Sequence, residues 1–473
     1  MESAAHLKPG TEIAAYRVQE KLREGGMAVL YRVAPIAGGG PGLLKVPKLE
    51  FGSHPACYAG FEVEQMILGR VAGPHVPRLL ASGESDCGPC LVMENIAGRS
   101  LADYAAGAPL PAEETARLGA ALASALHDLH RQEVVHHDLK PSHVILREAG
   151  QAALIDFGLA FHGHLPDLAG AESDQPLGSA AYISPEQIAG VRGDPRSDVF
   201  SLGVILYLLA TGRLPFGDPT GMSGVRRRLY VDPLPPRRII HDLPEWLQEI
   251  ILHCLEVRAE ARYATAAQVA HDLLHPDQVV LTERGYRSKR AGPLVAARRW
   301  LALLFAAPSA RRLPTAQLAL APHVVVAIDT ACNNEGLFQA LRDATRRTIG
   351  GEQHWRVSCV SVLEHSLLTE QEDGAEIMRG LHMQRLVELH HWAQALGLPR
   401  ERLRFHVLEG GDVPVRLIEF SRASHADHII IGARGSSSLR RFLGSVSSRV
   451  VAEAGCSVTV VRAGSPPEVG GPG

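Results

Sequence analysis

Val134-Val135-His136-His137-Asp138-Leu139-Lys140-Pro141-Ser142-His143-Val144-Ile145-Leu146, followed by Ala153-Leu154-Ile155-Asp156-Phe157-Gly158-Leu159-Ala160, is the stretch on which the reading of this chain turns. Two apolar strands each deliver an aspartate to a turn. One carboxylate can accept a hydroxyl proton while the other holds a divalent cation on phosphate oxygens. Phosphoryl transfer needs that pair, because its transition state is stabilised mainly by positioning and charge. Upstream, Tyr16–Leu22 and Ala28–Val33 read as strands joined by Arg23-Glu24-Gly25-Gly26-Met27. Glycines at a hairpin tip let backbone N–H groups approach phosphates without a Cβ in the way, although paired glycines also mark an ordinary turn. Leu43-Leu44-Lys45-Val46 is an apolar strand holding one lysine. Half-buried, that lysine needs an anionic partner, and Glu64 on the helical stretch Phe61–Arg70 is the candidate. A lysine snorkelling to the surface is the plainer alternative.

Taken together, these residues resemble the eukaryotic-like serine/threonine protein kinases of bacteria. The match covers residues 11–277, in order: Gly25-Gly26-Met27, Lys45, Glu64, the hinge Leu91-Val92-Met93-Glu94, His136 to Pro141, Asp156-Phe157-Gly158, Gly178-Ser179, Tyr182-Ile183-Ser184-Pro185-Glu186-Gln187, Ser197 to Gly203, and Arg262. One such motif is weak; their succession is specific. Lys140 followed by Pro141 is of the serine/threonine type. The resemblance implies a bilobal α+β kinase domain that uses ATP and Mg²⁺, with proteins carrying Ser or Thr as substrates and the chain itself among them. It implies that Lys45 holds the α- and β-phosphates and pairs with Glu64, with Gly25 and Gly26 over the phosphates. Asp138 would orient and deprotonate the substrate hydroxyl, Lys140 would sit on the γ-phosphate, and Asp156 would hold the metal. Met93 would be the gatekeeper, and the backbone of Glu94 and Ile96 would meet adenine. Glu186 with Arg262, and Asp198 with the catalytic loop, would be structural tethers.

The chain departs from that pattern at several places. Arg23 and Ala28 stand where the loop's first and third glycines would be, so Arg23 either crowds the nucleotide or lends its charge to a phosphate. His137 replaces the usual arginine before the catalytic aspartate. The loop Phe161–Gly178 has Ser173 but no Thr, and carries Asp167, Glu172 and Asp174; activity is therefore expected not to depend on phosphorylation of this loop. His143 occupies the place of the asparagine that binds a second metal. Mg²⁺ prefers oxygen ligands whereas imidazole suits softer metals, so weak activity with Mg²⁺ and a gain with Mn²⁺ are expected. The alternative is a histidine that packs there while Asp156 alone holds one metal. Ser184-Pro185-Glu186 is a mild variant of Ala-Pro-Glu. These departures keep a second function in view, a pseudokinase-type adenine-nucleotide sensor or scaffold without catalysis. The presence of Lys45, Glu64, Asp138 and Asp156 favours the enzyme. Cys87-Gly88-Pro89-Cys90 has redox-pair spacing but precedes a strand instead of opening a helix, and no second pair completes a zinc site; Gly-Pro reads as a hairpin turn.

Composition changes after residue 277. Residues 278–320 form a basic and apolar linker in which eight arginines and lysines, from Arg284 to Arg312, flank Trp300–Phe305. Such a segment can rest on an anionic membrane, but a helix packed on a domain with its charges in water is the preferred reading. Beyond it the pattern is strictly β-α-β, which gives a parallel sheet with ligands at the carboxyl ends of its strands. His323–Ile328 ends at Asp329. His428–Ile431 runs into Gly432-Ala433-Arg434-Gly435, and Gly444-Ser445 opens a helix whose N-terminus suits an anion. Residues 321–463 resemble the universal stress protein family, and Asp329, Gly432, Gly435, Gly444 and Ser445 match its ATP-binding members. Eight residues separate Gly435 from Gly444 where the family usually has nine. The resemblance implies a Rossmann-like fold and bound ATP; a ligand-free dimerisation module, making the chain a homodimer, is the alternative. Residues 464–473 are Gly/Pro-rich and expected to be disordered.

The bulk numbers agree with this division. In 473 residues, 46% are hydrophobic and 21% charged, ordinary for a soluble globular protein. A net charge of −3 gives no support to nucleic acid as partner. Seven scattered cysteines form no disulfide framework and suit a reducing compartment. Met1–Gly10 lacks the apolar core of a signal peptide, and Trp300–Ala307 is too short to span a bilayer. A cytoplasmic location is expected.

Overall fold

The computed structural model describes residues 7–25, 28–38, 40–48, 55–85, 88–171, 176–290, 322–331, 334–350, 355–364, 374–433 and 444–462, with 292, 294, 295, 297–299 and 314. Gly26, Met27, Cys87, Ser173, Trp300–Phe305, Gly435 and the tail lie outside the described residues. Two compact units, 1–318 and 319–473, divide the chain, and each is taken by itself.

The first unit opens with a six-stranded sheet in the order Glu12–Ile13, Tyr16–Glu24, Ala28–Pro35, Gly42–Pro47, Gly88–Glu94, Leu79–Ser85, antiparallel throughout. Side chains alternate across a strand, and Gly42–Pro47 uses this directly. Leu44 and Val46 are buried with Val18, Tyr31, Val33 and Val92 on one face, so Lys45 emerges on the other. There the helix Pro55–Leu68 presents Phe61, Glu64 and Leu68, spaced to share a helix face, and all three are buried. The helix comes so close to the Asp156-Phe157-Gly158 turn that a Cβ on Gly60 would stand 3.3 Å from Gly158 O, and one on Gly158 would stand 3.2 Å from Gly60 O. Strands Leu79–Ser85 and Gly88–Glu94 form the hairpin expected around the cysteine pair. The register corrects the turn, however: Ser85 pairs with Gly88 and Glu84 with Pro89. Gly-Pro therefore begins the second strand.

The helical part of this unit gathers around Arg196–Thr211, whose Val199, Phe200, Leu202, Val204, Ile205 and Leu206 are all inaccessible to solvent to within 1%. A helix apolar on every side belongs at the centre of a core, and Ala112–His130, Glu245–Cys254 and Ala266–Leu274 supply its shell. The hairpin Val144–Leu146 with Ala152–Leu154, and the pair Val134–Val135 with Phe161–His162, carry the two aspartate turns on top of this scaffold. Packing continues past residue 277. The carboxylate of buried Glu249 accepts from the N–H groups of Thr282 (3.0 Å) and Gly285 (2.8 Å), and Gln248 Nε2 donates to the carbonyls of Arg284, Gly285 and Arg287. The first part of the expected linker is thus built into the helical core.

The second unit is a five-stranded parallel sheet in the order Leu403–Glu409, Arg356–Leu363, His323–Ala327, His428–Gly432, Ser457–Val461. The central strand sends Val324 and Val326 to one layer, with Leu337 and Leu341 of helix Glu335–Ile349 and Leu389 and Trp392 of helix Gly374–Gln394. Val325 and Ala327 go to the other layer, with Leu417 of helix Val413–Ala423 and Val450 of helix Ser445–Glu453. Strands covered on both faces read as continuous apolar runs, as His323–Ala327 does.

Candidate active site

Lys45 is the hub of the first site. Its Nζ lies 2.5 Å from Glu64 Oε2 and 3.1 Å from Asp156 Oδ1. Burial works against the lysine charge, but the Glu64 and Asp156 carboxylates outweigh it and raise the Lys45 pKa. Asp156 is half exposed and adopts a positive φ of 67°. Burial alone would raise its pKa; the charge of Lys45 reverses this and holds the carboxylate ionised. Phe157, next in the chain, is fully buried in the helical core.

The loop that carries Asp138 is held from beneath. Asp198, fully buried, accepts from the backbone N–H of His136 (2.8 Å) and His137 (3.0 Å), and its Oδ2 lies 2.9 Å from His130 Nε2. Burial raises its pKa, and the hydrogen bond to His130 with the neighbouring imidazoles brings it down to about 2. His137 has a φ of 63°, a conformation a non-glycine residue keeps only when its surroundings over-determine it. Asp198 on its N–H and Gln187 Nε2 on its carbonyl (2.7 Å) do so. Gln187 also donates to Leu177 O, tying the end of the following loop to the loop that carries Asp138. At Gly178, φ 131°, a Cβ would stand 2.9 Å from His137 O. Glu186 and Arg262 form a two-pronged ion pair at 2.6 and 2.8 Å.

Both carboxylate oxygens of Asp138 are engaged. Its Oδ1 accepts from Ser179 N–H (2.7 Å) and Ser179 Oγ (2.6 Å), and its Oδ2 from Lys140 Nζ (3.0 Å). Lys140 also reaches Ser179 Oγ at 3.1 Å. His143 bridges the two aspartates: Nδ1 lies 3.0 Å from Asp138 O, and Nε2 lies 3.3 Å from Asp156 Oδ2. Burial lowers its pKa to about 4 against the pull of both carboxylates, so the ring is neutral at pH 7. A carbonyl can only accept, so the Nδ1 facing it carries the proton. The Nε2 lone pair then faces the Asp156 carboxylate, two electron-rich atoms that a cation between them would satisfy. Asp156 and His143 are the residues fit to hold a metal here; the set mixes a hard oxygen with an imidazole.

His137 is buried, and among the described residues neither of its ring nitrogens has a hydrogen-bond partner. Burial, then the charge of Arg192, lowers its pKa to about 3. Arg192 also brings a cation close to His137; its Nε lies 2.9 Å from Asp167 Oδ2 and its Nη2 donates to Leu159 O (2.8 Å). Sequence reading did not single out Arg192 or Gly60, and it quoted Gln187 only within a motif, without a role; each acts through a partner distant in the chain. At the hinge, Glu94 N–H donates to Arg78 O (2.9 Å), its side chain pairs with Arg147 (3.1 Å), and Met93 is buried. Ile96 is half-buried just beyond. Gly25 closes its hairpin by donating to Ala28 O, and Arg23 is exposed.

In the second unit, Asp329 and Gly432 end neighbouring parallel strands at the point where strand order reverses, the place where open α/β sheets bind ligands. Asp329 is exposed and accepts from Ala331 N–H (3.1 Å). Gly444 caps the helix Ser445–Glu453, with Ser445 exposed.

A two-lobed phosphoryl-transfer fold with a separate parallel α/β unit is what these features define. The protein kinase domain family matches residues 16–274 and the universal stress protein family residues 321–462. The chain belongs to the protein kinase domain family and carries a C-terminal universal stress protein domain. It is 30% identical over 260 residues to a probable serine/threonine-protein kinase of Clostridium perfringens, 54% of this chain and 38% of that one. It is 33% identical over 265 residues to a serine/threonine-protein kinase of Myxococcus xanthus, 54% and 32%. Against serine/threonine-protein kinase PknL of Mycobacterium bovis the figures are 31% over 260 residues, 54% and 64%. The chain thus spans less than two thirds of the length of these curated relatives.

Proposed function

We propose that the chain is an ATP-dependent serine/threonine protein kinase, phosphorylating protein substrates and itself, with a nucleotide-binding stress-response domain that regulates it. The observation that carries this reading is Lys45 joining Glu64 and Asp156 while Asp138 faces Lys140. Lys45 binds the α- and β-phosphates of ATP, and Gly25 and Gly26 cover them. Asp138 orients the acceptor hydroxyl and takes its proton. Lys140 sits on the γ-phosphate, and the backbone of Glu94 and Ile96 meets adenine behind Met93. Asp156 and His143 hold the divalent cation, which neutralises charge on the phosphates; the imidazole makes Mn²⁺ a better partner here than Mg²⁺. Glu186, Arg262 and Asp198 hold the loops. Asp167, paired with Arg192, supplies the negative charge that a phosphorylated loop residue would otherwise bring, so activity does not require phosphorylation at Ser173. Asp329, Gly432, Gly435, Gly444 and Ser445 bind a second nucleotide.

No helix among the described residues is long and apolar enough to cross a membrane. Cys90, Cys254 and Cys359 are buried free thiols, which suits a cytoplasmic location. Transfer of labelled phosphate from ATP to the chain and to casein, in Mg²⁺ and in Mn²⁺ beside an Asp138→Asn control, tests the function. Incorporation that survives in the control, or none in either metal, would end it.

A further inference from the structure

Arg228 has no solvent-exposed surface and, among the described residues, no carboxylate partner. A buried charge without a counter-ion is costly unless every donor is satisfied. Here backbone carbonyls do so. Nη2 donates to Ala180 O (2.6 Å), Nη1 to Ile183 O (2.6 Å) and Ala181 O (3.3 Å), and Nε to Val225 O (3.1 Å). The remaining carbonyl of the segment, Tyr182 O, accepts from Ser201 Oγ at 2.9 Å. All four carbonyls from 180 to 183 are therefore held from the helical side. The guanidinium also lies over the Phe216 ring at 5.2 Å, and that ring stacks on Phe200. Burial lowers the Arg228 pKa only to about 10, which leaves it charged at pH 7.

The segment it holds begins at the catalytic carboxylate. Ser179 binds Asp138 through both N–H and hydroxyl, and Ser179 O accepts from the N–H groups of Tyr182 and Ile183. Ala181 and Ile183 are buried, so half-exposed Ala180 and Tyr182 form the outer face. Successive Cα atoms are about 3.8 Å apart. A polypeptide whose hydroxyl reaches Asp138 therefore brings its flanking residues against that face. We propose that Arg228 is a positioning residue for the polypeptide substrate, fixing the 180–183 face on which residues flanking the phosphoacceptor rest. The planar fork of the guanidinium spreads donors over three nitrogens, so Nη1 and Nη2 reach three carbonyls of the segment while Nε holds Val225 O. This inference rests on the kinase reading and assigns a residue that none of the kinase motifs contains.

The test uses the full chain, Arg228→Met and Arg228→Lys, with casein as the acceptor. In Arg228→Met, amide exchange over residues 179–184 should quicken by roughly tenfold or more, the scale of losing a charge-assisted hydrogen bond. Exchange at the hinge, 91–94, and the KM for ATP should stay unchanged, while the KM for casein rises by a similar factor and kcat moves less. Arg228→Lys, which keeps the charge but not the fork, should fall between. Unchanged exchange at 179–184, or faster exchange across the whole domain, overturns the proposal, as does an unchanged KM for casein. Should the unmodified chain transfer no phosphate, the kinase reading fails on that observation. The exchange pattern and casein affinity by anisotropy then judge Arg228 separately: local loosening with weakened binding upholds the proposal, and anything else overturns it.

Discussion

The two candidate nucleotide sites are made of different material. In the first, side chains from four separated stretches converge: Lys45, Glu64, Asp138 with His143, and Asp156 form one chain of contacts between 2.5 and 3.5 Å. In the second, the described components are strand ends and a helix start: Gly432, Gly444 and the exposed Asp329. A site of buried charged side chains is strongly coupled, because each removal strands a partner in low dielectric. A site of backbone N–H groups depends little on any single side chain and mostly on where the strands stop. The contrast predicts steep responses to substitution in the first domain and shallow ones in the second.

Asp138→Asn should set the upper end, lowering phosphoryl transfer at least about a hundredfold, as expected for loss of a general base, with ATP affinity unchanged by titration calorimetry. Lys45→Met leaves Glu64 buried without its cation and should destabilise the first domain by about 3–5 kcal/mol, read by chemical denaturation; a loss under 1 kcal/mol would mean the pair is not a unit. His143→Asn should shift the ratio of Mn²⁺ to Mg²⁺ affinity about tenfold toward Mg²⁺. Manganese binding followed by electron paramagnetic resonance checks it, and an unmoved ratio removes His143 from the metal site. Asp329→Asn in the second domain should weaken nucleotide binding only by roughly three- to tenfold, one hydrogen bond's worth; a complete loss would erase the contrast.

Acid provides a separate lever. The folded-state pKa of His137 is about 3 against an ordinary 6.5. As pH falls below 6.5 the unfolded chain takes up a proton that the folded chain refuses, so stability is lost progressively from about 6.5 towards 3. His137→Asn, a residue that tolerates positive φ, should make the acid limb of melting temperature against pH shallower. An identical slope would show that the burial of His137 does not matter to acid stability.

Much of the first site was legible because its chemistry is carried by residue identity at close spacing. Asp138, Lys140 and His143 fall within six consecutive positions, and alternation along Leu43 to Val46 sets Lys45 apart from the strand's buried face. In the second domain the strands His323–Ala327 and His428–Gly432 were legible because strands buried on both faces read as nearly continuous apolar runs. The Gly-Pro turn was misplaced because hairpin register depends on pairing across the sheet, which local preference does not fix.

By itself, then, the order of residues determined the two domain types and singled out Lys45, Asp138, Asp156, Glu186, Arg262 and Asp198, because each is tied to a short motif. Only the tertiary structure decided that Arg192 meets Asp167 while His137 stays neutral, and that Gln187 links two loops. The same holds for Arg228 gathering the carbonyls of 180–183, and for Asp329 and Gly432 flanking the reversal in strand order. These are pairings across tens to about a hundred residues. They come from how helices and strands pack, and electrostatics acts through distance in space, which the spacing of residues along a chain does not encode.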